Sequence, residues 1–187
     1  MSGDSLNSFT RLCLTLYNHN LGQFSRLSIL RMKTNAVRIL DNLGISYHLL
    51  SYEVDPDDLA AERTALKVGL PPEEVFKTLV VRGDRNGVAL AVIPSVYQLN
   101  LKGLAKLTGD RKVEPVALKE VQPLTGYIRG GVTALACKRD YPVYVDEVIM
   151  AFDRVAVSGG MRGLLVQLAP EDYLRAIGGK LGAISGG

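Results

Sequence analysis

The run Val75-Phe76-Lys77-Thr78-Leu79-Val80-Val81 sets a lysine inside a β-branched, apolar stretch. On a strand alternate residues share a face, so Lys77 joins Leu79 and Val81 among apolar neighbours. A lysine placed this way either snorkels at a strand end or points into a pocket as a fixed positive charge. In a pocket it can hold a phosphate or polarise a carbonyl. Two glycine-bearing segments offer complementary groups: Thr125-Gly126-Tyr127-Ile128-Arg129-Gly130-Gly131 and Val157-Ser158-Gly159-Gly160-Met161-Arg162-Gly163. Glycine permits positive φ and close approach of main chain to a ligand, so these amides could cradle an oxyanion or a terminal ribose. Turns and bulges are the plainer use of the same residues. Tyr52, just before Asp55-Pro56, either stacks on a base or fills the core.

Several other chemistries are excluded by what the sequence lacks, while paired carboxylates cannot be located before the fold. A hydrolase triad needs a base beside its nucleophile, and after Met32 the chain offers His48 alone, flanked by Leu49 and Leu50 in a strand-like run. Gly-x-Ser-x-Gly, the dinucleotide Gly-x-Gly-x-x-Gly and the Walker pattern are all missing. Cys13 and Cys137 lie far apart and fit neither a disulfide framework nor a zinc site, so neither metal nor cofactor is expected, and a reduced compartment is the simplest reading.

The elements that must position Lys77 and the glycines follow from periodicity. Thr34 caps a short amphipathic helix over 35–43, stopped at Gly44, and residues 45–52 read as a strand. Asp55-Pro56-Asp57-Asp58 caps a second helix through Val68, and Pro71-Pro72-Glu73-Glu74 opens a very short third. Strands over 77–82 and 88–93 flank an Asn86-Gly87 hairpin. Asn100 caps a basic helix with Leu101, Leu104 and Leu107 as its buried stripe. Further strands are expected over 132–137, 142–146, 153–157 and 164–168, then a helix opened by Pro170, and a frayed glycine-rich tail over 178–187. Short strands interrupted irregularly by short helices indicate an α+β domain with a mixed, mostly antiparallel sheet.

With 187 residues, 47% hydrophobic and 22% charged, the chain has an ordinary globular composition, enough for one domain with a real core. Disordered, collagenous and disulfide-stapled classes are excluded. No apolar run approaches the roughly 18 residues of a membrane span, so a soluble, cytoplasmic protein without membrane contact is expected. Residues 1–31 read as an N-terminal extension, partly disordered, before a domain over 32–187. They hold Arg11, Arg26 and Arg31 against Asp4, most of the net charge of +3. The remaining body is nearly neutral, so charge alone gives no strong nonspecific grip on nucleic acid.

Taken together, Tyr52-x-x-Asp55-Pro56, Phe76-Lys77-Thr78-Leu79, Gly126-Tyr127-x-x-Gly130-Gly131 and Val157-Ser158-Gly159-Gly160-x-Arg162-Gly163-Leu164 resemble the YbaK/EbsC family of aminoacyl-tRNA deacylases. The resemblance covers about Met32 to Ile177. It implies the fold of the editing domain inserted in bacterial prolyl-tRNA synthetases, a mixed sheet curled into a partial barrel with flanking helices. It implies hydrolysis of mischarged tRNA(Pro), cysteinyl-tRNA(Pro) first, acting in trans and docked with prolyl-tRNA synthetase. Lys77 then holds the 3′-terminal nucleotide and ester, and the Gly130 backbone contacts the reacting aminoacyl group. Tyr52, Thr78, Gly126, Tyr127, Gly131, Ser158, Gly159 and Gly160 fall at substrate-binding positions. The family's attack comes from water or the substrate's own thiol, which leaves Cys137 a bystander.

The better-known cysteine-specific members carry an aromatic where this chain has Leu59-Ala60-Ala61-Glu62, and many relatives carry proline and glycine at the positions of Ala134 and Ala136. Alanyl- or another small-residue tRNA is therefore the alternative substrate, and a noncatalytic tRNA- or synthetase-binding module the alternative role. Lys102, Lys106, Arg111, Lys112 and Lys119 supply a short basic region for tRNA contact. The oligomeric state is left open.

Overall fold

In the computed structural model, which describes residues 33–55 and 61–186, the Thr34 hydroxyl accepts from Val37 N–H at 3.2 Å and starts α1 (Asn35–Asn42). The face Ala36, Val37 and Leu40 is buried. The chain continues through β1 (Tyr47–Ser51), α2 (Ala61–Val68) and a 3-10 turn at Pro72–Glu74 into the hairpin of β2 (Phe76–Gly83) and β3 (Gly87–Pro94). Then come β4 (Gln98–Leu99), α3 (Leu101–Thr108), β5 (Val113–Pro115) and α4 (Leu118–Thr125). After an irregular stretch follow β6 (Val143–Asp146), a 3-10 turn at Glu147–Ala151, β7 (Val155–Ser158), β8 (Leu164–Leu168), α5 (Pro170–Ile177), β9 (Lys180–Gly182) and β10 (Ser185–Gly186). The extension over 1–31, and the Pro56–Ala60 part of the expected α2 cap, lie outside the described residues.

The architecture is α+β with mixed sheets, as the sequence indicates. A five-stranded sheet runs β5-β2-β3-β6-β9, antiparallel around the hairpin and parallel from β3 through β6 to β9. An antiparallel sheet runs β1-β8-β7, and β10 pairs with β4. The two larger sheets meet through an isolated parallel bridge, Val75 with Ala156, so among the described residues no ladder closes a full barrel. Each has its own helix. α3 places Leu104 and Ala105 on Val81, Ala91 and Ile93 of the hairpin, whereas α2 places Ala65 on Val75, Ala156 and Leu165.

Three expectations change, and one helix is found where none was expected. Residues 132–137 form no strand, although Thr133, Ala134 and Leu135 are buried; no neighbouring strand pairs with them, and side chains satisfy part of their backbone instead. The stretch 118–125 is helical despite Pro123, which removes one backbone donor near the end of α4. Leu107 stays 38% exposed, and Ala105 takes the buried place beside Leu104. The glycine-rich tail is ordered through Gly186: Ile184 is fully buried, and the buried Asp146 carboxylate accepts from Ile184 N–H at 3.0 Å and Ser185 N–H at 2.7 Å.

Candidate active site

The hairpin register decides where the Lys77 ammonium goes. Gly83 opposes Gly87, so Lys77 opposes Ile93 and Phe76 opposes Pro94. The chain leaving β3 then brings Ser95 back along the open end of the hairpin. Ser95 N–H donates to Val75 O at 2.7 Å and Ser95 Oγ to Pro72 O at 2.6 Å, so its carbonyl is rigidly held. Lys77 Nζ donates to that carbonyl at 2.8 Å. An ammonium has three donors, so this bond orients the group without exhausting it. Burial pushes the Lys77 pKa below its ordinary 10.5, while the Glu62 carboxylate acts in the opposite direction. Ser95 escapes a motif search, but counting the hairpin pairs outward from Asn86-Gly87 leads to it.

A cavity of about 570 Å³ opens beside this ammonium. Of the expected site residues, Tyr52, Lys77, Thr78, Gly130 and Ser158 line it, together with the polar groups Asp55, Glu62, Thr64, Ser95 and Arg129. Val54, Val116, Val121, Val132 and Leu165 supply apolar wall, a small set of polar groups on an apolar lining being the usual make-up of a small-ligand site. None of the described lining residues is a histidine or cysteine. His48 lies exposed on β1.

Gly130 reaches the cavity through a tight turn. Gly131 N–H donates to Ile128 O at 2.9 Å, and Gly130 sits at φ +86°, the third-position geometry of a type II turn that favours glycine. Arg162 Nε donates to Arg129 O at 2.8 Å, which fixes the central peptide of this turn. In a trans peptide the N–H points opposite to the C=O, so the Gly130 amide is directed away from Arg162.

The remaining glycines stand behind this wall rather than on it. Gly126, at φ +82°, closes α4 by donating to Gln122 O at 2.8 Å. A Cβ on Gly131 would lie 3.1 Å from Met161 Cα, so the two glycine segments pack main chain to main chain there. A Cβ on Gly159 would strike Leu164 at 2.9 Å, and one on Gly160, at φ +88°, would lie 3.1 Å from the Tyr127 ring. The Thr34 hydroxyl donates to Gly159 O at 2.6 Å, tying α1 to the same loop. Tyr127 is half-buried; its hydroxyl donates to Leu135 O at 2.7 Å, with Ala136 O also 3.0 Å away, and burial raises its pKa to about 12. Gly126, Tyr127, Gly131, Gly159 and Gly160 do not line the cavity.

Cys137 is outside the cavity too: its thiol donates to Thr133 O at 3.7 Å, and burial pushes its pKa up to about 11. Among the described residues no three His, Cys, Asp or Glu side chains gather as a metal site, and no helix is long and apolar enough to cross a membrane. The five basic residues of the 102–119 region are all exposed, and Lys112 pairs with Glu114 at 2.5 Å.

Comparison with known proteins adds an independent line. Residues 55–176 match the family model described as the aminoacyl-tRNA editing domain. The chain is 37% identical over 155 residues, 83% of its length and 94% of the other's, to EbsC of Enterococcus faecalis, provisionally named a Cys-tRNA(Pro)/Cys-tRNA(Cys) deacylase. It is 26% identical to the multifunctional Ser/Thr-tRNA deacylase ProXp-y of Escherichia coli, over 74% of this chain and 84% of that one. Among solved structures, the hypothetical protein APE2540 superposes with a TM-score of 0.75 at 26% identity, covering 82% of this chain and all of that one.

Proposed function

The chain belongs to the aminoacyl-tRNA editing domain family, and from that premise we propose that it is a trans-editing deacylase that cleaves the ester of mischarged tRNA(Pro), cysteinyl-tRNA(Pro) foremost. Water or the substrate's thiol adds to the ester carbonyl. The oxyanion that forms is stabilised by the Gly130 N–H, while Lys77 grips the terminal nucleotide and the ester. Collapse of the tetrahedral intermediate expels the ribose oxygen, which takes the proton given up by the attacking water or thiol, leaving deacylated tRNA and the free amino acid or its thiolactone. An ester is an activated acyl group, so positioning and one backbone donor, worth about 10²- to 10³-fold in rate, go far without a protein nucleophile.

The observation that carries this reading is that Lys77 and Gly130 line one cavity whose described walls contain no histidine or cysteine. Tyr52, Thr78 and Ser158 meet the substrate beside them, and Gly126, Tyr127, Gly131, Gly159 and Gly160 hold that wall from behind. The Ser/Thr specificity named for ProXp-y makes seryl- and threonyl-tRNA the natural competitors in the pocket, next to alanyl-tRNA. The near-neutral body gives modest tRNA affinity by itself, which supports delivery by prolyl-tRNA synthetase in the cytoplasm.

The test is a deacylation panel of cysteinyl-, alanyl-, seryl-, threonyl- and prolyl-tRNA(Pro) with the purified full chain. Cleavage of one mischarged species over prolyl-tRNA(Pro), abolished in Lys77→Ala without loss of folding, is the expected result. Binding of tRNA without cleavage of any member identifies a noncatalytic module instead.

A further inference from the structure

The proposed chemistry uses the Lys77 charge of the cavity and leaves Asp55, Glu62 and Arg129 without a role. Glu62 stands in the first turn of α2 and lines the same cavity as Lys77. The two groups sense each other electrostatically, yet no direct ion pair closes between them. Lys77 is tethered to Ser95 O, so the carboxylate faces a cavity shared with a cation that does not neutralise it by contact.

An aminoacyl ester brings a group suited to that carboxylate. Its α-amine lies two bonds from the carbonyl carbon and is a hydrogen-bond donor whether protonated or neutral. If the carbonyl sits between Lys77 and Gly130, the amine must project onto a nearby wall. Arg129 on that lining is a cation and repels an ammonium, and Asp55 has interactions of its own. Glu62 is exposed and has no hydrogen bond to another described residue that would compete.

We propose that Glu62 receives the α-amine of the aminoacyl group and thereby makes the cavity selective for an unblocked aminoacyl ester over an N-acylated one. The inference rests on the deacylase reading. An N-acyl group removes the charge and sets a carbonyl oxygen against the carboxylate, so blocked substrates, initiator and peptidyl esters among them, are rejected by repulsion as well as by lost attraction.

The test uses the best-cleaved aminoacyl-tRNA(Pro) of the panel and the same tRNA with its α-amine acetylated. Wild type is expected to prefer the free amine, and Glu62→Gln to lose about 10- to 100-fold in kcat/KM on it, the range of a charge-assisted hydrogen bond. On the acetylated substrate Glu62→Gln should stay within about twofold of wild type or rise, and Glu62→Asp should recover part of the selectivity. Wild type cleaving both substrates equally overturns the inference and leaves the deacylase reading intact. An equal drop on both substrates in Glu62→Gln overturns it too, assigning Glu62 to balancing the Lys77 charge. Wild type cleaving neither overturns the deacylase reading, and the inference falls with it.

Discussion

The cavity has two walls built on different physics. The β2–β3 hairpin carries Lys77 and pairs residue by residue from Gly83 opposite Gly87 to Phe76 opposite Pro94. The opposite wall, from Gly126 to Lys138, carries Gly130 and has no ladder; side chains and a few isolated main-chain bonds hold its backbone. Tyr127 reaches Leu135 O, Arg162 reaches Arg129 O, Thr125 Oγ1 accepts from Tyr127 N–H at 3.0 Å, and Lys138 N–H returns to Thr125 O at 3.0 Å. The hairpin spreads its support over many equivalent bonds, so the place its backbone gives Lys77 is insensitive to any single side chain. The loop concentrates its support in a few donors, so the amide it presents depends on residues that never touch the cavity.

Four substitutions break or sharpen this contrast. Lys77→Ala should lower kcat/KM by about 10²-fold or more while the fold persists, because the ladder does not need the ammonium. Lys77→Met goes further: burial lowers the lysine's pKa, so the folded state binds that proton less tightly than the unfolded chain. The ammonium therefore costs stability at neutral pH, a cost relieved as pH rises through the lowered pKa. Lys77→Met should melt slightly above wild type with no activity, and melting below it would contradict the buried-charge account.

Tyr127→Phe attacks the other wall from behind. Removing one hydroxyl leaves the Leu135 and Ala136 carbonyls short of a donor, at a cost of about 1–3 kcal/mol in chemical denaturation. Activity should fall with it although Tyr127 is outside the cavity; unchanged stability would show that water replaces the hydroxyl.

Gly130→Ala should cost about 1–2 kcal/mol, because its φ of +86° is unfavourable for any residue with a Cβ. If the turn flips to relieve the strain, the amide turns away and turnover falls more than stability does. Equal losses in both would remove the oxyanion role.

The smallest effect is on a titration. Lys77 Nζ, followed by NMR of labelled lysine in the substrate-free protein, should titrate below 10.5, and Glu62→Gln should move it lower still. Tyr52, Asp55 and Arg129 also line the cavity, so the Glu62→Gln shift is read against wild type under the same conditions. An upward shift would show that Glu62 does not act on the ammonium.

The sequence legibly specified what local rules specify. Thr34 and Asn100 cap the helices expected of them, Asn86-Gly87 sets the hairpin, and the alternation in β2 marks Lys77 before any fold is known. The motif order was enough to indicate the family. Three features were decided only in three dimensions, each by a contact that local periodicity does not name. Residues 132–137 are apolar enough for a strand, but strand formation requires a neighbour; instead the Tyr127 hydroxyl donates to Leu135 O and Thr133 Oγ1 accepts from Leu135 N–H. The tail is glycine-rich enough to fray, but Asp146 caps its backbone from 38 residues away. Glycines alike in sequence divide into Gly130 on the cavity and Gly126, Gly131, Gly159 and Gly160 behind it. Glycine licenses close approach without naming what approaches, and only the packed chain supplies that neighbour.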